Sequence, residues 1–157
     1  MDEQQQTDVK NAGRRVVREV GIATRLLRAL MTPPLHAAGL TQAEYYLLVN
    51  LDESGTSTGK ELSCRLNLDK TTVSRQLTAL EEAGSITRET DPTNRRSHLI
   101  SLTDAGRARL AEARRHTVVV LENRFASWPA EELRDLAETL ARFNEQLRGS
   151  DVPAVDT

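Results

Sequence analysis

Residues 58–102 constrain the fold of this chain most, because signals for the start and end of helices follow one another there at short intervals. Thr58 and Glu61 have the T-x-x-E spacing of a capping box, which predicts that a helix begins at this point. Asn67 falls where the chain must turn, and asparagine tolerates a left-handed backbone better than most residues. Asp69 is suitably placed to cap a second helix. The sequence therefore predicts two short helices joined by a tight turn.

The second predicted helix combines an apolar stripe with a polar face. Val73, Leu77 and Leu80 recur at helical spacing and mark the side that packs on the core. The residues between them point away from this stripe and carry hydroxyl and basic groups. Such a face fits the major groove of DNA, where these groups contact base edges and phosphates. Any helix on a protein surface also exposes polar residues, so this pattern alone favours neither interpretation.

The residues after this helix favour DNA binding. Residues 85–90 and 97–102 are short β-prone runs, and the Asp-Pro-Thr-Asn-Arg-Arg sequence of residues 91–96 predicts a turn between them. We therefore expect a β-hairpin with Arg95 and Arg96 at its tip, where two guanidiniums can reach phosphates or a narrow minor groove. An ordinary solvated turn explains a single arginine better than this pair. The predicted DNA-binding residues are Lys70, Thr71, Thr72, Ser74, Arg75, Arg95 and Arg96.

In this order the motifs resemble the MarR (multiple antibiotic resistance regulator) family of winged helix-turn-helix transcription factors. The likeness in architecture covers about residues 10–148, and it implies a homodimer that binds a pseudo-palindromic operator in double-stranded DNA, usually as a repressor. It also implies a small aromatic or phenolic effector that releases the DNA, bound near the helix of residues 40–51. The matching segments are Glu61-Leu62 through Leu66 and Leu68, Thr72-Val73-Ser74-Arg75, Leu80-Glu81-Glu82-Ala83-Gly84, Asp91-Pro92-Thr93-Asn94-Arg95-Arg96 and Leu102-Thr103-Asp104-Ala105-Gly106.

Two positions depart from the family pattern. Asn94 stands where the family usually has an aspartate that steadies the neighbouring arginine, which bears on the placement of Arg95 and Arg96. Asn67 stands where the family often has glycine, a mild change because asparagine also adopts the left-handed conformation.

The flanking segments predict further helices with apolar faces. One helix, which carries Val16, Val20 and Leu27 on a single side, is predicted to end at Pro33 and Pro34. A capping box of Thr41 and Glu44 predicts the next helix. A long helix over residues 104–127 and a last helix from Pro129 follow the hairpin. A small winged domain cannot cover these faces, so pairing with a second copy is expected; an intramolecular bundle is the alternative.

The predicted fold is accordingly mainly α with a small β-hairpin wing. We expect a winged helix-turn-helix domain at residues 32–103 and a dimerisation region made of residues 8–31 and 104–148. Residues 1–7 and 149–157 are expected to be disordered tails.

Composition limits the other classes of function. The net charge of −2 argues against indiscriminate coating of nucleic acid, and no apolar run approaches the length of a membrane span. With a single cysteine and no signal peptide, the chain is expected to be cytoplasmic. It has no catalytic motif and no Cys/His spacing typical of zinc, so we expect no enzyme activity, cofactor or metal.

Two alternatives to an effector-released repressor remain open. Cys64 lies among basic residues of the first short helix and could sense oxidation, although such a cysteine is more often inert. The winged domain could also serve as a protein-interaction adaptor that does not bind DNA. Salt-sensitive binding to a palindromic duplex would separate an adaptor from a regulator.

Overall fold

The computed structural model of the chain describes residues 3–148. The chain divides at residue 120, so the described residues form a unit of residues 3–120 and a second unit of residues 121–148. Within the described part, no helix is both long and apolar enough to cross a membrane. The elements are α1 (Glu3–Ala37), α2 (Gln42–Ser54), β1 (Ser57–Thr58), α3 (Gly59–Leu66), α4 (Lys70–Glu82), β2 (Ile86–Asp91), β3 (Asn94–Leu102), α5 (Asp104–Arg124) and α6 (Ala130–Arg148).

The predicted helix starts are confirmed in atomic detail. The Thr58 hydroxyl accepts a hydrogen bond from the backbone N–H of Glu61 at 3.2 Å, and the Glu61 carboxylate accepts one from the backbone N–H of Thr58 at 2.7 Å. Thr41 and Glu44 form the same reciprocal pair at the start of α2. Asn67 has φ 50° and ψ 44°, which is the left-handed conformation expected of the turn between α3 and α4.

The three strands form one antiparallel sheet in the order β1-β3-β2. Ile86 pairs with Leu102 at one end of the hairpin, and Asp91 pairs with Asn94 at the other. The hairpin was expected from the sequence. The third strand, β1, was not, because two residues are too few to show alternation.

Leucine, valine and isoleucine side chains from both helices and sheet make the core of the first unit. Complete burial of one such side chain contributes roughly 1.5–3 kcal/mol relative to leaving it exposed. The buried apolar stripe of α4 is the one that the sequence predicted. The core consists of Leu35, Ala38, Leu40, Leu47, Leu48, Leu51, Leu62, Val73, Leu77, Leu80, Ile86, Ile100, Leu102, Leu110 and Ala113.

Helix α1 extends beyond its predicted limits in both directions. Pro33 and Pro34 lie inside the helix, so the expectation that they end it is wrong. Leu35 and Ala38, which follow the prolines, are buried in the core. This packing offsets the free-energy cost of the backbone hydrogen bonds that the prolines remove. At its other end, α1 begins at Glu3 and includes residues 3–7 of the predicted tail. Residues 1–2 of that tail lie outside the described residues. Residues 149–157, the other predicted tail, lie outside the described residues.

Helix α5 contributes to the core as well as continuing beyond it. Leu110 and Ala113 belong to the same buried cluster as the helices of the winged domain. The buried core therefore continues past residue 103, and the predicted division into domains stays a prediction. In the second unit, Phe125 and Trp128 form an edge-to-face pair with ring centroids 6.0 Å apart, and α6 has no buried residue.

Candidate nucleic-acid interface

The position of α4 is determined by its cap and its buried face. Both oxygens of the Asp69 carboxylate accept hydrogen bonds from Thr72, one from the backbone N–H at 2.8 Å and one from the hydroxyl at 2.6 Å. These bonds, that from the hydroxyl first, lower the pKa of Asp69. The bonds from Thr58 likewise lower the pKa of Glu61 at the start of α3. Both caps are thus made by ionised carboxylates at the positive ends of helices.

The outer face of α4 presents most of the residues predicted to bind DNA. Lys70, Thr71, Ser74 and Arg75 are all exposed on it. Within residues 3–148, the Arg75 side chain forms no ion pair, so its guanidinium is available to an external acceptor. Thr72 differs from the others, because it is half-buried and its hydroxyl donates to Asp69. The structure therefore gives Thr72 a capping role.

The turn of the wing is shorter than expected. The Asp91 carboxylate accepts hydrogen bonds from the hydroxyl of Thr93 at 2.7 Å and from its backbone N–H at 2.8 Å, and these bonds lower the pKa of Asp91. These two hydrogen bonds stabilise a two-residue turn, Pro92-Thr93, in place of the predicted six-residue loop. The side-chain oxygen of Asn94 accepts a hydrogen bond from the backbone N–H of Arg96 at 3.2 Å. Asn94 therefore binds the backbone of Arg96 and not its guanidinium.

Because the turn is short, Arg95 and Arg96 lie in strand β3 and not at the tip of a loop. Successive side chains of a strand point to opposite faces of the sheet. Arg96 lines the groove between the wing and α4, whereas Arg95 does not. The structure therefore brings Arg96 together with Lys70 and Ser74 and places Arg95 on the other face of the hairpin.

The groove shared by α3, α4 and the wing has a volume of about 340 Å³ and is rich in basic groups. Lys60, Arg88 and His98 line it in addition to the predicted Lys70 and Arg96. These three residues were not among the predicted site residues. Arg88 had a signal in the sequence, because it stands two residues after buried Ile86, on the inward-facing side of strand β2.

Arg88 joins the wing to α4. Its Nε lies 2.8 Å from Glu81 Oε2, outside the angular range of a hydrogen bond, so the attraction is that of an ion pair. Its Nη2 donates to the hydroxyl of Thr78 at 3.2 Å, and that hydroxyl donates in turn to the Ser74 carbonyl. Arg88 therefore holds strand β2 against the outer edge of α4.

Other candidate chemistry is sparse in the described part of the chain. Residues 3–148 contain no group of three or more His, Cys, Asp or Glu side chains that could hold a metal ion. Cys64 is an exposed free cysteine on α3. Its proposed oxidation stays an untested prediction.

An αL turn between two short helices, an exposed polar helix and an adjoining three-stranded wing together define a winged helix-turn-helix protein of the DNA-binding type. The family model of the MarR family matches residues 40–98. The chain belongs to the MarR family of transcriptional regulators, and it is not an enzyme.

Similar proteins of known sequence are regulators. The chain is 34% identical over 106 residues to the uncharacterised HTH-type transcriptional regulator YxaD of Bacillus subtilis, an alignment that covers 68% of this chain and 74% of that relative. It is 30% identical over 109 residues to YdgJ, an uncharacterised HTH-type transcriptional regulator of the same organism, with 69% of this chain and 66% of the relative covered.

Solved structures agree in fold. The structure of Sco3205, a MarR family transcriptional regulator of Streptomyces coelicolor in complex with DNA, superposes with a TM-score of 0.77. It is 26% identical to this chain, and the alignment covers 89% of this chain and 90% of Sco3205.

Proposed function

We propose that the chain acts as a homodimeric repressor that binds a pseudo-palindromic operator and is released by a small-molecule effector. The observation that carries the DNA-binding part is the outer face of α4. Exposed Arg75 forms no ion pair there among residues 3–148, and Lys70 and Ser74 line a basic groove shared with the wing. The structure of Sco3205 in complex with DNA supports the choice of partner.

The proposed roles follow from geometry. Arg75 reads base edges from the middle of the exposed face of α4, together with the hydroxyls of Thr71 and Ser74. Lys70 and Arg96, which line the same groove, contact phosphates. Arg95, on the opposite face of the hairpin, contacts the backbone or the minor groove separately from Arg96. Thr72 acts through its bonds to Asp69 and supports the helix that carries the others.

The homodimer is supported by apolar side chains that one copy of the chain leaves exposed. Leu136 and Leu140 of α6 are 44% and 38% exposed, and Leu26 and Leu27 of α1 are 65% and 45% exposed. Burial of such surface against a second copy is favourable, and two-fold symmetry is its commonest form. Residues 8–31 and 104–148 are proposed to form this interface.

The effector is proposed to bind between α1 and the start of α2. A groove of about 250 Å³ lies there, lined by Arg28, Thr32, His36, Thr41 and Gln42. Its arginine and hydroxyl groups suit the anionic or phenolic oxygen of a small aromatic molecule. If the effector favours a form of the dimer that no longer matches successive grooves of DNA, linkage makes the two ligands compete.

Selection of bound fragments from a random duplex library, followed by titration of the selected duplex, tests the proposal. We expect a palindromic motif and an affinity that falls steeply with salt, because bound phosphates release counterions. Failure to enrich any motif, with no salt-sensitive binding, would contradict the proposal and favour the adaptor.

A further inference from the structure

The turn that follows the recognition helix α4 is held tightly against the start of α5. The Thr103 hydroxyl donates to the Gly84 carbonyl at 2.6 Å, and the Thr103 N–H donates to the Ser85 carbonyl at 3.1 Å. A Cβ atom on Gly106 would lie 2.0 Å from the Ser85 oxygen, so only glycine allows this approach of the two backbones. The end of the recognition helix and the first turn of α5 are therefore in direct backbone contact.

Arg109, one turn further along α5, binds Ser85 in the turn after α4 and also binds the segment that follows α1. Its Nη1 donates to the hydroxyl of Ser85 at 3.2 Å. Its Nε donates to the Ala38 carbonyl at 3.3 Å, and its Nη2 donates to the Gly39 carbonyl. A single guanidinium thus bridges the segment after α1 and the segment after α4.

The chemistry of arginine suits this bridge. Carbonyls at the end of a helix lack partners within the helix and carry partial negative charge, so a cation is favoured beside them. The planar guanidinium presents its donors in a fixed fork, and two acceptors on different segments are therefore held at one relative position. Lysine has a point charge on a flexible stem and does not impose such a geometry.

Ser85 is hydrogen-bonded to the recognition helix as well as to Arg109. Its backbone N–H donates to the Leu80 carbonyl at 2.8 Å, in the last turn of α4. Ser85 is 1% exposed and Leu80 is completely buried, so neither can shift without disturbing its neighbours. A continuous series of contacts therefore runs from the end of α1 through Arg109 and Ser85 to α4.

We propose that Arg109 is a positioning residue for DNA binding. Through Ser85 it sets the position of the recognition helix relative to the end of α1, without touching DNA. The inference rests on the proposed function, in which an effector binds beside α1 and α4 reads DNA. It names the contact through which a change at α1 would reach α4.

The test uses two variants and a matched control in the full-length protein. Ser85→Ala removes only the hydroxyl that accepts from Arg109, and Arg109→Gln removes the whole bridge. Asp52→Ala is the control, because it breaks another bond between α5 and the winged domain, the 2.8 Å ion pair of Arg114 with Asp52, from a residue outside the proposed dimer interface. Affinity for the selected duplex, its salt dependence, and amide hydrogen exchange in the last turn of α4 are measured for each.

We expect Ser85→Ala and Arg109→Gln each to weaken operator binding about 2- to 30-fold, the range typical of residues that couple sites without touching either ligand. The double variant should bind no more weakly than Arg109→Gln alone, since both changes break one series of contacts. The salt dependence should not change, because no phosphate contact is lost. Asp52→Ala should retain wild-type affinity. Wild-type affinity in Ser85→Ala, or an equal loss in Asp52→Ala, would overturn the inference.

Hydrogen exchange separates this inference from the proposed function. If the unaltered protein binds no duplex, the proposed function fails, and exchange in the free protein still decides whether Arg109 positions α4. Faster exchange of the last α4 amides in Ser85→Ala and Arg109→Gln, but not in Asp52→Ala, supports the inference. The same exchange in all three variants contradicts it.

Discussion

At the scale of single residues, the site depends on a few side chains whose partners are unambiguous. Hydroxyl and carboxylate groups at helix starts bind atoms three residues away, as Thr58 and Asp69 do. Arg88 and Arg109 instead bind atoms of distant segments, Arg88 on the recognition helix and Arg109 on the turn that follows it. Arg75 makes no ion pair within residues 3–148 and is the residue through which α4 is proposed to read sequence.

Arg75→Ala is expected to weaken binding to the selected duplex by about 1–3 kcal/mol and to relax the base preference at one position of each half-site. The cause is the loss of hydrogen bonds from the guanidinium to base edges. Titration against duplexes that differ at single positions measures both effects. Glu53→Ala, which removes an exposed charged side chain from α2 outside the proposed dimer interface, is the control. Equal affinity of Arg75→Ala and the control variant for all duplexes would exclude base reading by Arg75.

Gly106→Ala is expected to lower the free energy of unfolding by about 1–3 kcal/mol, the usual cost of overpacking, because the added methyl collides with the Ser85 backbone. Gly13→Ala is the control. No atom lies within 4 Å of a Cβ at that position in α1, so alanine should stabilise the chain by about 0.4–1 kcal/mol. Urea denaturation measures both changes. A Gly106→Ala variant as stable as the parent would mean that α5 does not approach the turn so closely.

At the scale of elements, α4 and the wing are each ordered by local hydrogen bonds to a carboxylate. Asp69 caps α4, and Asp91 closes the two-residue turn of the hairpin. Both contacts favour the ionised form, since their hydrogen bonds lower the pKa of each carboxyl group. The elements that are proposed to meet DNA therefore share a sensitivity to acid.

Asp69→Ala tests this sensitivity in α4. A carboxyl group whose pKa is lowered on folding stabilises the folded state above its unfolded pKa, close to 3.8 here, and this contribution is lost as the pH falls through the lower folded value. The difference in stability between the parent and Asp69→Ala should thus be largest near neutral pH and shrink below 3.8. Urea denaturation across this range measures it, with Glu53→Ala on α2 as the control for removal of one exposed carboxylate. A difference independent of pH would contradict the capping role of the ionised form.

Arg95→Ala and Arg96→Ala should act independently, because the two side chains lie on opposite faces of the wing. Each single change is expected to weaken operator binding and to reduce the salt slope by about one, as expected for one lost phosphate contact. The double variant should show the sum of the two effects. A double variant no weaker than either single variant would indicate that both arginines serve one contact.

At the scale of the whole molecule, the sequence predicted what depends on local signals. The capping boxes, the left-handed Asn67, the apolar stripe of α4 and the hairpin all follow from spacing over a few residues. The sequence did not predict that α1 continues through Pro33 and Pro34, because burial of Leu35 in the core outweighs the local signal. The bridges of Arg88 and Arg109 depend on which distant segments meet, and local spacing carries no such information.

In the proposed complex, two copies of the chain hold their recognition helices at a separation that matches one turn of DNA, about 34 Å. The most direct test is to measure affinity and stoichiometry on the selected operator and on one with about five base pairs inserted between its half-sites, which moves them to opposite sides of the duplex. We expect two chains to bind the original operator cooperatively, and the insertion to reduce the affinity to that of a single half-site. One chain per operator, or an affinity unchanged by the insertion, would contradict the account.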